Sequence, residues 1–220
     1  MSEKIKKYPR TFHLTFSKGC TNDDKMLDSD DYFIGEEIIL TSKLDGSNFC
    51  MTNSECFART HSGPPTHKSF DLAKSIHSQI KFFIPDNFAI FSEYLFAKHS
   101  IHYRNLPHYL AIFNILDFDR NVWLSWNDVE MWSGKINVPT VPVLFRGLVK
   151  TNYELQELCL SFMGEKEFQI DEREGIVIRL SKEFDNINFD FSTGKMVRAN
   201  HVQTSDHWKD QEIIRNKLKI

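Results

Sequence analysis

The chain has 220 residues, of which 41% are hydrophobic and 26% charged, a balance that fits a globular protein of one domain or at most two. It excludes disordered, collagen-like and membrane-spanning classes. The formal net charge of −3 supplies no global basic field, so any contact with nucleic acid must come from a local patch.

Cys20, Cys50, Cys56 and Cys159 form no CxxC pair, which argues against a zinc ribbon or a thioredoxin-like site and reads as reduced thiols in an intracellular protein, cytoplasmic or nuclear. The basic start MSEKIKKYPR has no apolar stretch behind it, and no window approaches 18 uninterrupted apolar residues. Neither a secretory leader nor a membrane span is expected. Nineteen Phe and four Trp are enough for a sizeable core and for a surface on which bases could stack.

In chain order, apolar periodicity predicts strands over residues 36–42, 48–51, 56–60, 88–95, 109–118, 121–124, 141–145, 174–180 and 195–199. A helix is predicted over 70–84 from the stripe Leu72, Ile76, Ile80 and Phe83. Another follows the capping-box pattern Thr151-Asn-Tyr-Glu154, with Leu155, Leu158, Cys159 and Phe162 on one face. Residues 205–220 read as a closing C-terminal helix that opens on a capping Ser and carries Lys and Arg toward its end. No long linker interrupts the chain, so the expectation is one α+β domain, 1–220, with twisted, largely antiparallel sheets flanked by helices.

Two familiar phosphate-binding loops are absent. Ser192-Thr-Gly-Lys195 echoes the end of a P-loop, but Phe189 stands where its first Gly belongs, and no GxGxxG follows a strand. The segment Thr41-Ser-Lys-Leu-Asp-Gly-Ser-Asn48 is more informative. One reading is a β-hairpin closed by a type I′ Asp-Gly turn. The other is a reactive Lys43, which needs neighbours to lower its pKa and carboxylates to bind metal or substrate. Glu93, beside Ala89, Phe91 and Leu95, and Glu174, beside Ile176, Ile178 and Leu180, place carboxylates on apolar strand faces. A buried carboxylate there needs a partner, and a strand-end Glu turning to solvent is the alternative.

Lys43-Leu-Asp-Gly46 resembles motif I, KxDG, of the covalent nucleotidyltransferases: ATP-dependent DNA ligases, RNA ligases and mRNA capping enzymes. Arg59 falls at the arginine of motif Ia, and Phe91-Ser-Glu-Tyr94 resembles motif III. Ile112-Phe-Asn-Ile115, Glu174-Gly-Ile-Val-Ile-Arg179 and Lys195-Met-Val-Arg198 resemble motifs IIIa, IV and V, in family order. Within the superfamily the likeness is to small ATP-dependent RNA ligases: Asn48 matches an Asn those enzymes use, and Tyr8-Pro-Arg-Thr11, His13 and His201-Val-Gln-Thr204 are similar too. Ser42 replaces a frequent Glu, Asn114 replaces the usual Asp of motif IIIa, and motif V has Arg198 in place of a second Lys two positions after the first.

The resemblance implies a two-sheet nucleotidyltransferase fold and an enzyme that uses ATP with Mg2+ or Mn2+ to join RNA 3′-OH and 5′-phosphate ends in RNA repair. Lys43 would carry AMP, with Lys195 and a metal lowering its pKa and stabilising phosphate charge. Glu174 would help bind metal, Glu93 would accept hydrogen bonds from the ribose, Phe113 would stack on adenine, Arg59 would contact phosphate, and Asn48 would act near the reacting ends. Phe113 also reads simply as core. His99, His102 and His108 match no standard zinc spacing, although His99 and Lys98 could touch RNA phosphate. The basic segment 4–10 reads as a solvated arm or as an RNA contact.

No obligate protein partner is implied. The alternatives are a DNA-joining ligase, a capping guanylyltransferase, or a non-catalytic nucleotide- or RNA-binding module on the same fold. Only 22 residues follow Arg198 in this sequence, too few for a five-stranded oligonucleotide-binding barrel with strands of about 5–6 residues. RNA is therefore expected to be positioned by the nucleotidyltransferase domain alone, with Arg59, Lys98 and Lys195 as its local basic surface.

Overall fold

The computed structural model describes residues 7–59, 63–163, 168, 170, 172–199 and 213–219. The elements in chain order are β1 (Glu37–Lys43), β2 (Ser47–Met51), β3 (Cys56–Ala58), α1 (Asp71–Ile80), β4 (Phe88–Tyr94), β5 (Leu110–Asp117) and β6 (Val122–Trp123). They continue with α2 (Trp126–Ile136), β7 (Val143–Leu148), α3 (Asn152–Met163), β8 (Gly175–Leu180), β9 (Phe184–Asp185), α4 (Phe189–Ser192) and β10 (Thr193–Val197). Two antiparallel sheets result, one ordered β10-β8-β1-β7 and the other β3-β2-β4-β5-β6-β9. This is the α+β, two-sheet architecture expected from the sequence.

The first sheet buries Ile38, Leu40, Ile176 and Ile178 in a cluster that includes Leu155 and Cys159 of α3. In the second, Phe49, Ile90 and Ile112 pack with Ala73 of α1 and with Trp126, Val129 and Ile136 of α2. The expected stripe on α1 packs in part, Ile76 and Ile80 lying half-buried against this cluster. Ala73 and His77 are the helix's buried residues, His77 Nε2 donating to Thr52 O at 2.7 Å, while Phe83 lies in a 3-10 turn after the helix and is exposed.

Helix α2 is absent from the sequence reading, although its start is written in Ser125-Trp-Asn-Asp128. The Ser125 hydroxyl accepts from Asp128 N at 3.2 Å, and Asn137 closes the helix in the left-handed region, φ 53°. In α3 the expected cap forms in part: Glu154 N donates to Thr151 Oγ1 at 3.1 Å, while the Glu154 carboxylate accepts from Lys150 N at 2.8 Å.

Two expectations need correction. The hairpin at Asp45-Gly46 does not exist, because β1 pairs with β7 and β8 in one sheet and β2 with β3 and β4 in the other. Lys43 to Ser47 is the crossover between sheets. Gly46 is needed there for space and not for a turn: a Cβ would come within 2.6 Å of Tyr94 O.

The second correction is the C-terminal helix. Residues 205–212 and 220 lie outside the described residues, and 213–219 are extended along the loop of residues 96–106. Asn216 explains why. Its Nδ2 donates to Leu95 O at 2.8 Å, its Oδ1 accepts from Tyr103 N at 2.9 Å, and its N donates to Phe96 O at 2.9 Å. Four backbone bonds, from Lys98 N to Ile214 O, Lys217 N to Tyr103 O, Leu106 N to Lys217 O and Lys219 N to Leu106 O, continue the seam. These tertiary hydrogen bonds replace the i to i−4 bonds a helix would use.

Asn216 is 1% exposed, so removing its amide strands Tyr103 N and Leu95 O away from water. Asn216→Ala is expected to cost about 2–3 kcal/mol, the scale of buried polar groups left unsatisfied, and chemical denaturation followed by fluorescence measures it.

Candidate active site

The strand register assembles the site from distant parts of the chain. Pairing of β1 with β8 sets Lys43 opposite Gly175 and Thr41 opposite Val177, and pairing of β10 with β8 sets Lys195 opposite Val177. In the facing sheet, β2 and β4 place Asn48 opposite Glu93. Between the sheets lies a cavity of about 480 Å3, lined by Lys43, Asn48, Arg59, Glu93, Phe113, Val177 and Lys195 among others. Its volume falls in the range of small-molecule sites, roughly 300–1,000 Å3.

Six of the seven residues singled out from the sequence line this cavity, and the seventh, Glu174, is bonded to Lys43. Glu174 does not sit on the face of Ile176 and Ile178, as expected. It precedes β8 and turns its carboxylate to the Lys43 amine, while Val177 and Arg179 are the β8 side chains that face the cavity. Glu174 is buried, and Gly175 beside it leaves room for β10, since a Cβ would collide with Met196 O. Likewise Leu95 leaves the face of Ala89 and Phe91 because β4 ends at Tyr94.

The electrostatics centre on Lys43. Burial works against its charge, but Glu174 above all, with Glu93 and Asp45, outweighs burial and raises its pKa above the usual lysine value. In the nucleotide- and metal-free protein Lys43 is therefore an ammonium, and Lys195 alone does not lower it. Glu93 behaves in reverse: burial, and then the negative charges of Glu174 and Asp45, push its carboxyl to about 8 against the pull of Lys43 and Arg59. Asn48 adds a buried Oδ1 without a hydrogen-bond partner among the described residues.

Asp45 of the KxDG segment is used for architecture. Its Oδ2 accepts from Ser100 N at 2.7 Å and Ile101 N at 2.8 Å, and its own N donates to Tyr103 OH at 2.8 Å. That clasp holds His99 at the cavity, its Nε2 3.3 Å from Ser47 Oγ. His102 contacts Arg215 O and His108 contacts Leu110, so the three histidines have separate partners.

Sequence reasoning missed the far end of the cavity. Arg179 is buried, donating to Asn114 Oδ1 at 2.7 Å, Leu124 O at 2.6 Å and Leu180 O at 3.0 Å, and burial lowers its pKa to about 10. Asn114, in the place of an Asp, thus serves a buried Arg as a neutral acceptor and donates to Tyr8 OH at 3.3 Å. Tyr8 packs edge-on against Phe113, with centroids 4.9 Å apart. Burial raises its hydroxyl to about 12, so this part of the basic segment is not a solvated arm.

The described residues hold no group of three or more His, Cys, Asp or Glu able to grip a metal alone. One or two carboxylates plus substrate phosphates is, however, how Mg2+ is commonly held, and the buried carboxylate of Glu174 fits that arrangement. No described helix is long and apolar enough to cross a membrane.

Two antiparallel sheets close over a lysine–glutamate pair, and solved structures share this fold. The RNA ligase of Naegleria gruberi with PPi superposes with a TM-score of 0.56 at 17% identity, covering 91% of this chain and 59% of that one. A mutant of it with ATP and Mn gives 0.54 at 14%, covering 89% and 61%. An archaeal ATP-dependent RNA ligase gives 0.52 at 12%, covering 90% and 49%. The chain thus spans about three fifths of the Naegleria ligase and half of the archaeal one. No curated sequence matches it. The family profile for RNA ligase matches residues 36–197, and the chain belongs to the RNA ligase family.

Glu93 supplies a pH test. Its folded pKa of about 8 lies above the unfolded carboxyl value, so the folded state binds the extra proton between about 4.5 and 8. Its contribution to stability is complete below that window and is lost as pH rises through about 8. Denaturation midpoints from pH 6 to 9 are expected to fall more steeply in the wild type than in Glu93→Gln. Parallel profiles would contradict this assignment.

Proposed function

We propose that this chain is an ATP-dependent RNA ligase that joins RNA 3′-OH and 5′-phosphate ends and serves in RNA repair. The observation that carries the reading is the Lys43–Glu174 pair at a cavity also lined by Lys195, Arg59, Asn48, Glu93 and Phe113, in a member of the RNA ligase family.

Lys43 Nζ forms a bond to the α-phosphorus of ATP as the bond to the β-phosphate oxygen breaks and pyrophosphate leaves. The amine must first lose a proton, which Glu174 opposes by stabilising the ammonium. A divalent cation, Mg2+ or Mn2+, held by Glu174 with Glu93 nearby would compensate the carboxylate charge and the phosphate charge together. Lys195 and Arg59 would take phosphate oxygens, and Phe113 and Val177, from opposite sheets, would flank the adenine. Glu93 would accept from the ribose hydroxyls, and Asn48 would bring its unpartnered Oδ1 to the reacting ends.

AMP then passes from Lys43 to an RNA 5′-phosphate, restoring the free amine and creating a 5′–5′ pyrophosphate linkage. An RNA 3′-OH attacks that 5′-phosphate, the strand is sealed and AMP departs.

Lys43→Ala and Lys43→Arg are both expected to lose sealing, since a guanidinium stays protonated at neutral pH and offers no nucleophile. Glu174→Ala is expected to fold and to lose metal-dependent AMP attachment. A Glu174→Ala protein that unfolds, yet reacts normally when refolded, would assign Glu174 a structural role instead. On nicked and single-stranded substrates, RNA ends are expected to be sealed at low ionic strength and all-DNA ends left open, with activity falling across a salt series. Efficient all-DNA sealing, or transfer of GMP to an RNA diphosphate end, would overturn the reading.

A further inference from the structure

Residues 12–27 precede the segment that the family profile matches, yet they are built onto Lys195. Residues 12–14 run beside β10, Lys195 N donating to Phe12 O at 2.9 Å and Leu14 N donating to Lys195 O at 2.8 Å. The Lys195 amine points to a carboxylate of that segment: Nζ lies 3.2 Å from Asp24 Oδ1.

Asp24 is itself fixed. Its Oδ2 accepts from Thr21 Oγ1 at 2.9 Å and Thr21 N at 3.3 Å, and His13 Nε2 lies 3.4 Å away. His13 is 1% exposed, with Nδ1 2.7 Å from Ser17 Oγ, which also accepts from Val197 N at 3.1 Å. Burial opposes the Asp24 charge, but Thr21 and Lys195 outweigh it and bring the carboxyl down to about 2, so Asp24 is a carboxylate throughout the neutral range. His13 is shifted down, by burial first and Lys195 next, which keeps it neutral beside the pair.

A flexible four-carbon side chain is a poor phosphate ligand unless it is held, since an unanchored Lys carries about 2 kcal/mol of rotamer entropy. One of its three donors reaches Asp24, leaving two. Lys195 lines the cavity and is 17% exposed.

We propose that Asp24 is the positioning residue of Lys195, tethering its ammonium at the cavity wall so that the remaining donors meet the phosphates of the bound nucleotide. This rests on the reading that the cavity takes ATP and that Lys195 contacts its phosphates. It predicts that Asp24 acts on the rate of Lys43 adenylylation and little on nucleotide affinity, because the tether orients a group whose contact matters most as charge develops.

The test compares wild type, Asp24→Asn and Asp24→Glu in single-turnover labelling from α-labelled ATP across ATP concentration, with melting curves alongside. Asp24→Asn is expected to melt within a few degrees of wild type and to lose maximal rate on the order of 10- to 100-fold. Its half-saturating ATP is expected to change by less than about threefold. Asp24→Glu, which keeps the carboxylate, is expected to recover part of the rate. An unchanged maximal rate overturns the proposal, as does tighter ATP binding at unchanged rate, which would make Asp24 a competitor of the phosphates.

A second readout needs no activity. Acylation of Lys195 by an amine-reactive ester, mapped by mass spectrometry in the nucleotide-free protein, is expected to rise severalfold in Asp24→Asn. Unchanged acylation overturns the tether itself. A wild type that takes no label from ATP, while Asp24→Asn frees Lys195, overturns the ligase reading and leaves the tether standing.

Discussion

The change of sheet between Lys43 and Ser47 is the constraint on which the rest of the structure depends. A strand that ends in one sheet and resumes in the other within three residues forces the sheets together at that point, with Lys43 at the junction. The short connection leaves no room for a side chain at Gly46 and gives Asp45 the task of fastening residues 100–103. Each element of Lys43-Leu-Asp-Gly46 thus has a separate physical duty: Lys43 reaches the cavity, Leu44 joins the core, Asp45 clasps a loop and Gly46 permits the approach.

The charges follow from that junction. Lys43, Glu174, Glu93 and Asp45 crowd a partly desolvated space, where each charge sets the protonation of the next. Burial and the neighbouring carboxylates keep Glu93 protonated up to about 8, while Lys43 is held as the ammonium by Glu174. On the proposed reading, an ammonium at Lys43 cannot attack, so the nucleophile would form only once the site is loaded.

Much of the fold was legible because strands buried between layers leave apolar runs; the predicted strands lie where strands form, with ends shifted by a few residues. What was not legible has specific causes. The Asp-Gly turn chemistry of residues 45–46 is real as a local preference, but sheet pairing is a tertiary outcome and overrode it. The extended course of 213–219 depends on one Asn meeting Leu95 and Tyr103, which helix periodicity cannot reveal. At the site, Lys43, Glu93, Phe113, Glu174 and Lys195 stood out through motif resemblance. Asp24 carries no such signal: it meets Lys195 only through the packing of residues 12–27 on β10.

The account's central claim is that Lys43, at the crossover, is the atom to which AMP becomes attached. Tandem mass spectrometry of the protein after incubation with ATP and a divalent cation tests it directly. The account predicts AMP on the peptide bearing Lys43, bonded to Nζ through an acid-labile phosphoramidate and absent from Lys43→Ala. AMP on another residue, or an unmodified Lys43 in a protein that seals RNA, would contradict it.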